Sequence, residues 1–209
     1  MSEKIRRYFR LIFIEYGIWS LLIMPIDRFF FYLFFRFYYS RVFKKYGHNV
    51  RWGRNGIRRL IPQTVRISAP HLIEIGDDCQ FDEGVYLQAH HMGDGLIIGA
   101  GSRINAYTHI QAYSKIVIGD HALIAPYCHI NSGNHGTERI GVPIMFQEYR
   151  RGGEIYLGRG SWMGRSSHVL GGASIGDFSV IAAGAVVTKK FPEYSKLAGV
   201  PARCIGTLH

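Results

Sequence analysis

The chain has 209 residues, 47% of them hydrophobic, which describes one folded domain with room for an appendage and excludes a disordered chain. Glycine is frequent at 25 residues and proline sparse at 7, a composition suited to many regular turns and free of collagen-like or low-complexity bias. The net charge of +10 is one-sided: residues 1–60 hold 13 of the 25 Lys and Arg but only 3 of the 15 Asp and Glu, so the rest of the chain is balanced.

Residues 1–48 read as two helices, the first from Lys4 to about Met24 and the second following Pro25, a good first-turn residue. The longest charge-free run, residues 16–26, is 11 residues long. A bilayer span needs about 20, so a transmembrane helix is not expected. The second helix is rich in Phe and Tyr and flanked by Arg28, Arg36, Arg41, Lys44 and Lys45. Aromatic rings with basic flanks favour the membrane interface over nucleic acid, and each basic residue at an anionic leaflet contributes about 1 kcal/mol. The alternative is that these helices pack on the coil or on a neighbouring subunit. No cleavable secretory signal is evident.

Residues 49–66 are a basic transition. Residues 67–192 then fall into a period of six. Apolar residues stand at Ile75, Phe81 and Leu87; at Ile98, Ile104 and Ile110; at Ile118, Ile124 and Ile130; and at Leu157, Met163, Val169, Ile175, Ile181 and Val187. The next position is often Gly or Ala, and the fifth is small, as at Cys79, Ser102, Ala122, Cys128, Ser161 and Ala185. Six is neither a helix period nor the spacing of separate hairpins. It fits a mainly β chain wound as a left-handed parallel β-helix, with three six-residue faces per turn. The apolar residue fills the prism and the small one sits inside a tight corner. Cys79 and Cys128 therefore point inward as small apolar side chains, in keeping with a reducing compartment. The rhythm breaks at residues 88–96 and, for longer, at 131–154; residues 193–209 close the chain. Long excursions from a rigid scaffold are where function concentrates.

Taken together, several features resemble the hexapeptide-repeat acyltransferases. These are the hexads, Asn134-His135 and Pro143-Ile144 in the long excursion, Gly158/Trp162/Gly164, the run 184–190 and the ending 198–206. The resemblance covers about residues 70–206, and within the family it is similar to the maltose, galactoside and streptogramin acetyltransferases and to bacterial polysaccharide O-acetyltransferases. It implies a homotrimer with acetyl-coenzyme A lying in the groove between adjacent prisms, and no metal.

On that resemblance His135 is the catalytic base, a role for which neutral imidazole suits. Asn105 aligns with an acceptor-site asparagine. Glu148 is the carboxylate proposed to orient His135, with Glu138 and Glu154 in competition. Trp162, Arg165, Ala183, Gly184, Thr188, Lys189 and Arg203 match positions along the coenzyme, with small residues where the pantetheine arm approaches and Lys or Arg where phosphate lies. Arg165 departs from the small residue that sugar acetyltransferases often carry there. Direct transfer is expected, because the phase of the repeat turns Cys79 and Cys128 inward.

The expected activity is O-acetylation of a sugar in a bacterial surface polysaccharide or its lipid-linked precursor. The protein is expected in the cytoplasm, peripheral at the inner face of the membrane through residues 1–48. The first alternative is a soluble acceptor, a free sugar or an antibiotic. A second is a zinc-dependent, carbonic anhydrase-like protein using His109, His129 and His168, which share one position of the repeat; zinc needs ligands that converge, and a single file does not.

Overall fold

The computed structural model describes residues 51–52 and 64–208. The chain divides into two units, residues 1–38 and 39–209, and all described residues belong to the second. The two helices expected over 1–48, and with them the membrane-surface segment, lie outside the described residues.

Strands of two to six residues stack into three parallel sheets that form the faces of a prism. The first face contains Ile73–Ile75, Leu96–Ile98, Ile116–Ile118, Ile155–Leu157, Ser174–Ile175 and Lys190–Phe191. The second contains Gln80–Phe81, Arg103–Ile104, Leu123–Ile124, Trp162–Met163, Val180–Ile181 and Ser195–Gly199, and is closed by the antiparallel strand Ala202–Thr207. The third contains Arg66–Ser68, Tyr86–Ala89, His109–Ala112, His129–Asn131, His168–Leu170 and Val186–Val187. The chain visits the faces in this order on every turn, which is the left-handed parallel β-helix expected from the hexads.

The apolar rungs are buried without exception. Ile75, Ile98, Ile118, Leu157 and Ile175 run up the inside of the first face, each exposed by at most 1%, and the other two faces are filled in the same way. At roughly 1.5–3 kcal/mol per fully buried Ile, Leu or Val, this column supplies the main favourable term. The small fifth-position residues are buried too, and their hydroxyls bond across coils: Ser102 Oγ donates to Gly119 O at 3.0 Å and Thr108 Oγ1 to Ala125 O at 3.0 Å. Glycine at the second position is a matter of clearance. A Cβ on Gly158 would stand 2.4 Å from Asp177 N and 2.5 Å from Gly176 C.

Three columns of corners join the faces. The first corner, after the first face, is held by carboxylates: Asp120 Oδ1 accepts from Ala100 N at 2.7 Å, and Asp177 Oδ1 from Arg159 N at 3.0 Å. The second corner carries Asn105, Tyr107, Tyr127, Arg165, Ala183 and Gly184. The third carries His90, Tyr113, the whole of the long excursion, and Thr188–Lys189.

Candidate active site

The long excursion leaves the prism at the third corner and folds on itself as an antiparallel hairpin, with Gly133–His135 pairing with Tyr149–Arg151. Its base is built from small residues. Ser132, fully buried, accepts from Tyr113 N at 3.0 Å and Ser114 N at 2.9 Å and donates to Ser114 O at 2.8 Å. Its carbonyl accepts from Gly152 N at 2.7 Å. Gly133 makes room for an aromatic ring, since a Cβ there would lie 2.4 Å from Tyr113 Cδ2. Gly152 passes so close to the coil above that a Cβ on Gly171 would stand 2.4 Å from Gly152 O.

His135 stands at the last pair of this ribbon, exposed, opposite Tyr149, and the two rings lie 4.2 Å apart between centroids. A cleft of about 430 Å³ opens beside it, lined by Asn134, His135, Thr137, Glu138, Arg150 and Arg151. Among the three candidate carboxylates, Glu138 faces Arg150 at 3.0 Å and also accepts from Thr137 N at 3.0 Å. Glu148 is tied into the ribbon by its backbone carbonyl, which accepts from Gly136 N at 2.8 Å. Glu154 lies at the foot, where its carbonyl accepts from Gly172 N at 3.2 Å. Beyond the hairpin, Gln147 is buried and closes the loop tip: its amide donates to Arg139 O and Val142 O, and its Oε1 accepts from Arg139 N.

The second corner gathers a different set. Asn105 sits there with Oδ1 buried and unpartnered, the one such side-chain atom among the described residues. A buried polar atom without a hydrogen bond is costly unless something supplies the donor. Arg165 lays its guanidinium 4.7 Å from the Tyr127 ring centroid, and Tyr127 stacks on Tyr107 at 5.3 Å. Ala183 and Gly184 are exposed, and Gly184 turns at φ +69° with open space where a Cβ would project. Trp162 lies on the adjoining second face, 47% exposed, and Arg203 is exposed on the strand that closes that face. Thr188 and Lys189, by contrast, stand at the third corner, two coils above the hairpin.

The residues matched by sequence thus divide within one prism. His135, Glu148, Thr188 and Lys189 belong to the third corner. Asn105, Arg165, Ala183 and Gly184 belong to the second, with Trp162 and Arg203 beside them. The third face separates the two columns.

That face carries the histidine file. His109, His129 and His168 are in register on adjacent strands. His129 Nε2 lies 2.9 Å from Gln111 Oε1, and Gln111 Nε2 donates to Gln88 Oε1 at 2.9 Å, so the His129 nitrogen is the donor. Burial, with His168 and His109 nearby, lowers the His129 pKa. Among the described residues no three His, Cys, Asp or Glu side chains group as metal ligands.

Comparison with known proteins identifies the family. No family model matches the chain. WbbJ of Escherichia coli K12, assigned as an O-acetyl transferase of lipopolysaccharide biosynthesis, is 32% identical over 132 residues, which are 60% of this chain and 67% of WbbJ. The galactoside O-acetyltransferase of the same organism is 32% identical over 136 residues, covering 63% of this chain and 62% of that enzyme. The chain thus spans about two thirds of the length of either relative. A galactoside acetyltransferase solved with coenzyme A superposes with a TM-score of 0.56 at 28% identity, over 65% of this chain and 64% of that one. The N-acyltransferase AntD of Bacillus cereus, at 22% identity, shares the fold with a TM-score of 0.67 over 80% of this chain and 87% of its own. The chain belongs to the hexapeptide-repeat acetyltransferases.

Proposed function

We propose that the chain transfers acetyl from acetyl-coenzyme A to a sugar hydroxyl, with His135 as general base. The observation that carries the reading is the histidine on a built hairpin beside an open cleft, at the one long break in the repeat. Residues fit for the donor are present on the second corner and second face. Gly184 leaves an open path for the pantetheine arm, Trp162 offers an exposed ring, and the exposed Arg203 guanidinium offers charge for phosphate; Lys189, on the third corner with its ammonium 5.4 Å from the Phe191 ring centroid, offers a second cation. Acetyl-coenzyme A supplies an activated thioester. His135 takes the proton from the acceptor hydroxyl as that oxygen forms its bond to the acyl carbon, and returns it to the departing thiolate. Asn105, only partly buried at the second corner, is the amide proposed to orient the acceptor hydroxyl.

The site is proposed to form between copies in a homotrimer. The third corner of one prism, bearing His135, faces the second corner of the next, bearing Asn105, Ala183 and Gly184. This arrangement unites residues that a single prism holds on opposite edges of one face.

The acceptor class is a surface-polysaccharide sugar or its lipid-linked precursor. The likeness to WbbJ and the basic, aromatic segment 1–48 support it, and that segment would hold the protein at the inner face of the membrane. The equal likeness to a galactoside O-acetyltransferase favours a free sugar as the second reading.

The test is incubation of the full chain and His135→Ala with acetyl-coenzyme A and either methyl β-galactoside or a lipid-diphosphate-linked galactose, read by mass. Loss of about 10²–10⁴-fold in rate is expected for His135→Ala. An undiminished rate rejects His135 as the base.

A further inference from the structure

Five aromatic rings stand in series at the third corner, contributed by three separate segments. His91 lies 4.1 Å from His90, His90 4.8 Å from Tyr113, Tyr113 5.1 Å from Tyr149, and Tyr149 4.2 Å from His135. The central pair is nearly parallel, at 10° between planes. His90 and His91 belong to the short excursion, Tyr113 to the turn of the next coil, and Tyr149 and His135 to the hairpin. Two further features hold the series together. Gly133 carries no Cβ, and one there would stand 2.4 Å from the Tyr113 ring. Arg151, paired with Gly133 across the ribbon, donates to the Met92 carbonyl and lies 3.7 Å from the Asp94 carboxylate.

A two-stranded ribbon is marginal by itself. His135 is exposed and sits at its far pair, so the ribbon backbone alone gives the imidazole little orientation. The Tyr149 ring is what lies against that imidazole, tilted by 38° between planes. Tyr149 is in turn backed by Tyr113, and Tyr113 by His90. A base must be held within about 0.5 Å of its working position.

We propose that Tyr149 is the positioning residue for His135, and that the 88–96 excursion anchors it through His90 and the Arg151 latch. This rests on the reading of His135 as general base. The short excursion thereby acquires a role in the reaction, although it contributes no group to the chemistry.

The experiment measures kcat and KM separately on the full chain, with acetyl-coenzyme A and methyl β-galactoside. Tyr149→Ala is expected to lower kcat by about ten- to a hundredfold, the cost of an ångström-scale misplacement, and to leave KM for acetyl-coenzyme A within about twofold. Tyr149→Phe, which keeps the flat ring, recovers most of kcat; Tyr149→Leu, which keeps bulk alone, does not. Arg151→Ala, which releases the latch, lowers kcat in the same direction. Unchanged kcat in Tyr149→Ala overturns the proposal, and so does equal recovery by Phe and Leu, which would mark Tyr149 as plain packing. The base assignment fails separately, on activity retained by His135→Ala.

Discussion

Cys79 and Cys128 occupy the same rung of the repeat and show what that rung does to a reactive group. Each is about 2% exposed, and each thiol donates to a glycine carbonyl of the next coil, Cys79 to Gly99 O at 3.1 Å and Cys128 to Gly164 O at 3.2 Å. Burial pushes the Cys79 pKa up to about 11 and raises that of Cys128. A thiol held protonated and walled in is neither a nucleophile nor an acyl carrier. Cys204 is exposed on the closing strand. Titration of the native protein with a thiol reagent at neutral pH should therefore count one reactive cysteine, and titration after unfolding three. Rapid labelling of a second thiol in the native state would contradict the inward packing of the rung. The same rung could be read from sequence because it tolerates only small side chains. The left-handed corner before it could not. Tyr107, Tyr127, Ser166 and Phe178 all take positive φ there, between 54° and 61°, in a conformation that sequence reasoning reserves for glycine or asparagine. At the aromatic positions the rings stack on one another or on glycine along the column: Tyr107 on Tyr127, the Phe178 ring over Gly160, and Tyr194 on Phe178.

The hairpin is the element that carries His135 and its cleft, and its weak point is its foot. Ser132 Oγ is the acceptor for two backbone N–H groups of the neighbouring turn, at Tyr113 and Ser114, and Ser114 is itself buried. Ser132→Ala fits the space but orphans both donors. An unsatisfied buried donor costs about 1–3 kcal/mol. A fall in unfolding free energy of that size is expected in urea denaturation, together with reduced acetyl transfer, since Tyr113 backs the ring that meets His135. Stability equal to the parent would mean that water replaces the hydroxyl. The existence of this excursion was legible in the sequence, because a six-residue rhythm makes any interruption obvious, although strand pairing runs one residue further than expected, through Asn131; His135 was singled out within it by the resemblance of the motif around it. The internal wiring of the element was not. The short excursion proved shorter than its sequence suggested, since strand pairing runs through Ala89 and resumes at Leu96. The contacts His90–Tyr113–Tyr149 join residues from three coils, and no local pattern announces them. The carboxylates near His135 were likewise indistinguishable by spacing, because a hairpin of this length can bring any of several acids to its base. The fold shows Glu138 occupied by Arg150.

At the scale of the whole molecule, the division of candidate residues between two corners has a consequence that can be measured. A groove built from the third corner of one copy and the second corner of the next predicts that two differently damaged chains can repair each other. His135→Ala removes the base from the third corner. Ala183→Trp places a large ring on an exposed position of the second corner, in the path left open beside Gly184, without touching the buried column. Each variant alone should be inactive. In a cyclic assembly every interface is equivalent and pairs one patch of each neighbour, so random mixing leaves both corners intact at about one interface in four. Co-expressed chains should then regain about a quarter of the parent rate per site. Mass measurement of the intact assemblies establishes that the mixed species are present. If mixed assemblies form and stay inactive, both corners must act within one copy, and the separation imposed by the third face would have to be bridged by movement of the hairpin. Recovery near one quarter would instead fix the donor groove and the base on different chains.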